Sequence, residues 1–387
     1  MANDKAGDGV FGKVNSIESF YLVLGAYFGE QTKDPASTLI FLDEIQEYPD
    51  LLTLLKPLSE DNRFKYICSG SQLGLALKKS TLIPMGSIRE VKMYPLDFEE
   101  FLLANNVSKE VIDFMRERFQ EKSSLDEALH ERILSLFKMY LLLGGLPAAI
   151  NEYLESRNMV SVREIHQETI AYYKDDASKY DFENKLKIGR IYEMLPSNID
   201  NKVKRIQFKS IEDINDARFQ KYADEFDYLL SSGIALGTQA VSEPKFPLTA
   251  SSHKNLIKLY MNDVGLLTNS LYKSNVMAVL SDKRGVNLGG VYETVVAQEL
   301  EAHGHQLFYF DSKKVGEVDF LIDDYDSLSI VPLEIKSGRD FHNFRALPKL
   351  VGNQNYHIDF GYVLSNDRIV SSNGKIVCMP IYYSMFF

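Results

Sequence analysis

No stretch of this sequence is more restrictive than Leu39-Ile40-Phe41-Leu42, an unbroken apolar run that ends in Asp43-Glu44. An uninterrupted run of this length, bounded by polar residues, predicts a strand buried on both faces, as in parallel sheets covered by helices. The flanking segments agree. Residues 16–28 read as one helix, 32–37 as a turn and 49–59 as a short helix. Residues 64–68 form a second apolar strand that ends at Ser69-Gly70-Ser71, and 88–93 read as a third. Asp97 can then cap a helix whose first turn carries Glu99 and Glu100, the charge sign a helix N-terminus favours. Such alternation predicts an α/β layer.

At 387 residues the chain exceeds one ordinary core and calls for two to four domains. Residues 125–179 are helical in pattern, with the break Gly144-Gly145-Leu146-Pro147 in the middle. Beyond them lie two helix-like stretches, a basic segment (Lys202, Lys204, Arg205, Lys209), a long helix over 213–230 and a small hairpin over 233–241. That order suits a winged-helix-like unit. Pro244 and Pro247 mark a linker. A last α/β unit follows, with a helix over 290–302 and strands over 306–310, 317–322, 329–335 and 361–364. The expected division is 1–124, 125–181, 182–250 and 251–387.

A formal charge of −11 excludes a protein that coats nucleic acid with its whole surface, though a local basic patch remains compatible with it. Two cysteines, Cys68 and Cys378, both in segments that read as buried strands, do not make a disulfide framework and point to a reducing compartment. No apolar leader with a cleavage site opens the chain, and the longest apolar stretch, near 140–143, is far short of the roughly 18 residues a membrane span needs. The expectation is a cytoplasmic protein without a membrane partner.

Asp43 at a strand tip can hold a magnesium ion that bridges nucleotide phosphates, and Glu44 beside it can polarise an attacking water. An apolar strand ending in Asp-Glu also occurs without any such role. LIFLDEIQEYPDLL, the strand ending in Ser69-Gly70-Ser71, and YPLDFEEFLLA (94–104) together resemble the sheet of a bacterial and archaeal AAA-type ATPase family. The segments YLLLGGLPAAINEY (140–153), YYKDDASKY (172–180) and KLYMNDVGLL (258–267) resemble the C-terminal domain that ends those proteins. The resemblance implies a Walker B role for Asp43 and Glu44, a γ-phosphate-sensing role for Ser69 and Ser71, and ATP with Mg2+ as cofactors.

A phosphate-binding loop needs a strand, a glycine-rich turn and a helix whose N-terminus faces the phosphates. Gly7-Asp8-Gly9-Val10-Phe11-Gly12-Lys13 has the loop's spacing, yet Val14 stands where a Ser or Thr would bind magnesium. Only the polar piece 1–6 precedes it, and thirty residues separate Lys13 from Asp43, enough for one helix but not for helix, strand and helix. The expectation is a shortened ATPase sheet that hydrolyses ATP poorly.

Near the C-terminus, Glu317-Val318-Asp319-Phe320-Leu321-Ile322 and Pro332-Leu333-Glu334-Ile335-Lys336 flank a polar turn and predict an antiparallel hairpin. Side chains alternate along a strand, so Glu334 and Lys336 share a face that Asp319 can reach from its neighbour. Two carboxylates and a lysine there can bind a hard divalent cation and activate a water for phosphodiester attack. The pattern resembles the PD-(D/E)xK nuclease motif, with Glu293 on the preceding helix as the additional acid. A structural ion-pair cluster is the alternative.

The expected fold is thus α/β multidomain: a partial AAA P-loop-type parallel sheet, a helical connector, a winged-helix-like unit and a restriction-endonuclease-like α/β domain. Its expected partners are DNA, through the basic segment, or another protein or a second copy. Glu212, Asp213, Asp216, Asp224 and Glu225 weaken the electrostatic case for DNA. Arg89 reads either as a finger toward a neighbouring nucleotide or as a surface arginine, and none of the seven histidines has metal-ligand spacing. A Mg2+-dependent nuclease, and a non-enzymatic interaction protein that keeps both folds, are the rival functions.

Overall fold

The computed structural model describes residues 9, 11–70, 88–180, 185–201, 206, 211, 219–281, 286–337 and 344–387. The chain divides into two compact units, Met1–Met93 and Tyr94–Phe387.

In the first unit, Phe11–Lys13 forms a single 3-10 turn, and helix α1 spans Ile17–Phe28. Its start is fixed by Ser16, whose hydroxyl accepts the Ser19 amide at 3.1 Å. Strand β1 (Leu39–Leu42) leads through a short turn to α2 (Pro49–Asp61), where Pro49 occupies the first helical turn. Strand β2 (Lys65–Cys68) returns parallel to β1, with Leu42 opposite Cys68. The strand expected over 88–93 is absent: these residues are irregular and exposed, because their charged Arg89, Glu90 and Lys92 alternate with apolar side chains that find no core.

Burial corrects a second expectation. Ile40 and Leu42 point into a core with Phe20, Leu24, Leu51, Leu54 and Leu58. On the other face, Leu39, Phe41 and Ile67 are 52%, 54% and 50% exposed. The strand is therefore buried on one face only among the described residues, since both helices pack on the same side. Cys68 and Cys378 are half-buried free thiols, and burial pushes the Cys68 thiol up to about 11.

The second unit opens with seven helices among its described residues: α3 (Phe98–Ala104), α4 (Lys109–Gln120), α5 (Glu127–Leu143), α6 (Pro147–Ser156), α7 (Met159–Tyr180), α8 (Lys185–Asp200) and α9 (Ala223–Ser231). Asp97 caps α3 in a reciprocal capping box with Glu100, as its sequence position predicts. Gly144, at φ +70°, ends α5, and Pro147 starts α6. Among the described residues no single helix is long and apolar enough to cross a membrane.

Strand β3 (Ala235–Val241) is one strand, not the small hairpin expected over 233–241. Its antiparallel partner is β4 (Ser252–Met261), across the two-proline linker. Of the rest of the winged-helix-like reading over 182–250, the basic residues Lys202, Lys204, Arg205 and Lys209 lie outside the described residues, and the described part of the long helix expected over 213–230 is a 3-10 turn (Phe219–Tyr222) followed by α9. Helices α10 (Val264–Tyr272), α11 (Met277–Leu280) and α12 (Gly289–Ala302) follow. Next come β5 (Phe308–Ser312), β6 (Gly316–Asp324), β7 (Ser329–Ile335), α13 (Ala346–Val351), β8 (Gly361–Ser365), β9 (Ser371–Asn373) and β10 (Ile376–Pro380). The sheet has the order β4-β3-β5-β6-β7-β8-β10-β9 and mixes parallel and antiparallel pairs. Helix α12 is buried from Gly290 to Leu300. The β6–β7 hairpin forms as the sequence predicts, with Phe320 opposite Leu333.

Candidate functional sites

In the first unit, the tips of β1 and β2 are locked together. The Ser69 amide donates to the Leu42 carbonyl at 2.9 Å, the Ile45 amide donates to the Ser69 carbonyl at 3.1 Å, and the Ser69 hydroxyl donates to Asp43 Oδ1. Glu44 sits in the left-handed region at φ 52°, a conformation that costs a non-glycine residue about 1 kcal/mol or more. Its carboxylate accepts from the Gln46 side-chain amide. Asp43 and Glu44 are both exposed. Ser71 lies outside the described residues, as do Gly7 and Asp8. Of the stretch with loop-like spacing, Phe11 is buried in the core and Lys13 is exposed, while Val14 is a core side chain at 1% exposure.

In the second unit, β6, β7 and α12 carry the other predicted residues. One step beyond the Phe320–Leu333 pair, the register sets Asp319 across from Glu334, on one face of the sheet. Asp319 Oδ2 accepts the Ile335 amide at 2.8 Å, and Lys336 Nζ donates to Glu334 Oε1 at 2.7 Å. Glu293 Oε2 accepts the Tyr260 hydroxyl at 3.1 Å. Glu334 is 6% exposed, and its Oε2 is buried with no hydrogen-bond partner.

Electrostatics tie these groups into one cluster. Burial raises the Glu334 carboxyl above its usual range; Lys336 opposes this, while Glu293 and Glu317 add to it. Burial pulls the Lys336 ammonium down, but Glu334, Asp319 and Glu293 outweigh it and hold that group above the usual lysine range. Two groups that the sequence did not single out complete the picture. Lys258 on β4 is ion-paired with Glu317 on β6 and lies 4.4 Å from the Tyr309 ring centre. A charged side chain inside the apolar run Leu256-Ile257-Lys258-Leu259-Tyr260-Met261 was the available signal. Among the described residues, no three carboxylate, imidazole or thiolate groups converge closely enough to hold a metal as they stand.

A buried polar knot beside the sheet also escaped the sequence. Asp263, the N-cap of α10, accepts the amides of Gly145 at 2.7 Å and Leu266 at 3.0 Å. Burial pushes it up to about 6 against those bonds. Glu299 on α12 accepts the Phe98 amide at 2.9 Å and the Tyr140 hydroxyl at 3.3 Å, and burial pushes it up to about 8. Its Oε2 is unpartnered. His166 Nε2 meets the Leu143 carbonyl at 3.0 Å, and His130 Nδ1 meets the Tyr382 hydroxyl at 2.9 Å, so both rings serve packing.

With this geometry in place, comparison with known families gives the class. Residues 13–102 match an AAA domain. Residues 134–276 and 288–383 match two domains of unknown function, DUF8612 and DUF4143. The chain therefore carries a segment similar to the AAA domain of ATPase-type proteins, followed by a C-terminal segment similar to a domain of unknown function. The AAA match implies ATP and Mg2+ as the ligands of such a domain. No curated protein matches the chain.

Proposed function

We propose that the chain is an AAA-type ATP-binding protein, impaired in hydrolysis, whose first unit responds to Mg2+-nucleotide through Asp43, Glu44 and Ser69. We further propose that its C-terminal domain is PD-(D/E)xK-like and engages nucleic acid or a protein partner. The observation that carries the nucleotide reading is the bond between the Ser69 hydroxyl and Asp43, which links the two strand tips. An ion that draws Asp43 away from Ser69 would be felt at both strands. Impaired hydrolysis is supported by Val14, whose buried side chain offers no hydroxyl to magnesium.

Titration with a fluorescent ATP analogue tests this. Weak binding that requires Mg2+ and is lost in Asp43→Asn is expected, with no phosphate release above that of Glu44→Gln. Turnover on the order of 1 s⁻¹, ordinary for an enzyme, would sink the impaired-hydrolysis claim. Binding indifferent to Asp43→Asn would sink the site.

A second reading, a Mg2+-dependent DNA nuclease, is favoured by the unpartnered Oε2 of buried Glu334 beside Glu293 and Lys336. Carboxylate oxygens suit a hard divalent cation, and the buried orphan oxygen fits one. Glu293, Asp319 and Glu334 would hold it after turning from their present partners. The ion would supply an activated water, while Lys336 would neutralise charge developing on a phosphodiester. DNA incubated with Mg2+ or Mn2+ should be cut by the wild type and spared by Glu334→Ala and Lys336→Ala. Cleavage that survives both substitutions would refute the assignment. Loss of both activities leaves an interaction protein that keeps the two folds.

A further inference from the structure

Residues 94–102 close the segment that matches an AAA domain, yet they fold as part of the second unit. By this stretch the chain, after the irregular residues 88–93, enters that unit. Helix α3 has only seven residues, too few to hold itself in water, so its order comes from what it is seated on. Phe98 and Phe101 pack on the Tyr140 ring at 5.5 and 5.0 Å, and Phe98 meets Phe137 edge-on at 5.1 Å. The backbone ahead of the helix is fastened by other elements. The Leu96 amide donates to the Gly145 carbonyl at 2.8 Å, and the Tyr140 hydroxyl donates to the Leu96 carbonyl at 2.6 Å. The Phe98 amide donates to Glu299 Oε1 at 2.9 Å.

The fastening through Glu299 depends on charge. Glu299 is 0% exposed and its Oε2 has no hydrogen-bond partner. The Tyr140 hydroxyl has a single hydrogen to share between Glu299 at 3.3 Å and the closer Leu96 carbonyl. A neutral carboxyl tolerates that setting, whereas a carboxylate is left with one full donor, the Phe98 amide. Asp97, the N-cap of α3, adds negative charge, which His303 opposes with its Nε2 at 3.4 Å from Asp97 Oδ2. The other ring nitrogen of His303 meets the Phe387 main-chain oxygen at 3.1 Å. Glu100 is turned onto the Asp97 amide, and Glu301 onto the Tyr94 hydroxyl. Asp263, on the Gly145 amide, is pushed up to about 6, and burial holds His305 below the usual histidine range. Tyr94, pushed up to about 12, and Tyr140, higher still, titrate far above. Glu299, pushed up to about 8, and His303, held above its usual range, are left to titrate between those limits. We propose that Tyr94–Ala104 is a strap that opens as a local unit, and that the proton on Glu299 is its catch. With the proton on, the strap is seated on α5 and α12; with it off, the strap lifts and frees the chain that leaves the first unit. The device is independent of the nucleotide and nuclease readings.

Once the strap has lifted, Glu299 meets water and titrates near 4.3. Between that value and about 8 the seated state binds more protons than the open one, so opening grows by up to about tenfold per pH unit as pH rises. Hydrogen–deuterium exchange of the full chain, read by mass spectrometry and corrected for intrinsic rates, tests this. In wild type, protection over 94–104 should fall by more than about tenfold between about pH 6 and 8. At either pH it should lie more than about tenfold below that of β8, and about 1 M urea should change it less, since a local opening exposes little surface. No fall with pH overturns the proposal. Protection and urea response equal to those of β8 also overturn it, because the opening is then global. Glu299→Gln keeps an oxygen for the Phe98 amide and should hold 94–104 within about threefold across the same pH range. His303→Gln should keep the fall seen in wild type. A fall that survives Glu299→Gln, or one that vanishes in His303→Gln, makes the histidine the catch and sinks the assignment. Wild type and His303→Gln decide the matter even if Glu299→Gln does not fold.

Discussion

The two units place their acids in opposite ways. In Met1–Met93 the chemistry-bearing carboxylates, Asp43 and Glu44, stand in water at the tip of β1, above a core whose described members are all apolar. In Tyr94–Phe387 five carboxylates, Glu293, Asp319, Glu334, Asp263 and Glu299, are folded inward, and each is bonded to an amide, a tyrosine or a lysine. The first arrangement leaves its carboxylates hydrated, at the cost of the left-handed backbone at Glu44. The second is preassembled, so its tolerance of change is low.

The largest expected effect exposes that intolerance. A methyl added at Gly145 would sit 2.0 Å from the Leu96 carbonyl oxygen, which is backbone and cannot turn aside. The same glycine accepts the Leu96 amide at 2.8 Å and donates to Asp263. Gly145→Ala should destabilise the second unit by about 3 kcal/mol, the upper end for overpacking, as read from urea unfolding. A loss under about 1 kcal/mol would show that the α5–α6 corner yields.

Next in size is a pH dependence. In the folded chain Glu299 is pushed up to about 8, first by burial and then by the charge of Asp97. Unfolded, a glutamate titrates near 4.3. Between those values the native state binds more protons than the unfolded one, so this group's stabilisation is complete below about pH 4 and is lost as pH rises toward 8. Asp263, pushed up to about 6, acts in the same direction over a narrower window. His303, held above its usual range by Asp97, also loses its contribution as pH rises. The second unit should therefore lose on the order of a few kcal/mol between pH 5 and 8. Glu299→Gln should flatten most of that slope. Equal slopes in both proteins would mean that Glu299 is already ionised in the fold.

What the sequence disclosed follows the same division between local and distant causes. Helix α1, the Gly144–Pro147 break and the β6–β7 hairpin were legible because periodicity, caps and a polar turn lie within each segment. The pairing of β3 with β4 spans ten intervening residues, and nothing in Ala235–Val241 names its partner. Residues 88–93 alternate like a strand but are never paired among the described residues, a case where local pattern misleads. At the C-terminal cluster, Glu334 and Lys336 were visible from strand alternation alone. Lys258 was not, because its ion-pair partner Glu317 lies three strands away in the sheet order. The exposed face carrying Leu39, Phe41 and Ile67 was equally invisible, since an apolar run does not say how many layers cover it.

The smallest prediction returns to the first unit and reverses the sign of the first. Gly25 lies in the middle of α1 on its exposed side, and a methyl built there meets nothing within 4 Å. Glycine in a helix interior leaves the unfolded chain more freedom to lose than alanine does, and it gains no packing in return. Gly25→Ala should therefore stabilise this unit by about 0.5–1 kcal/mol, seen as a small rise in its unfolding midpoint with unchanged slope. Taken with Gly145→Ala, one methyl group then reads out the contrast between the units: relief where helix α1 faces water, and collision where the α5–α6 corner meets the carbonyl oxygen of Leu96. A destabilising Gly25→Ala would mean that the exposed side of α1 is covered in solution, and the contrast would have to be withdrawn.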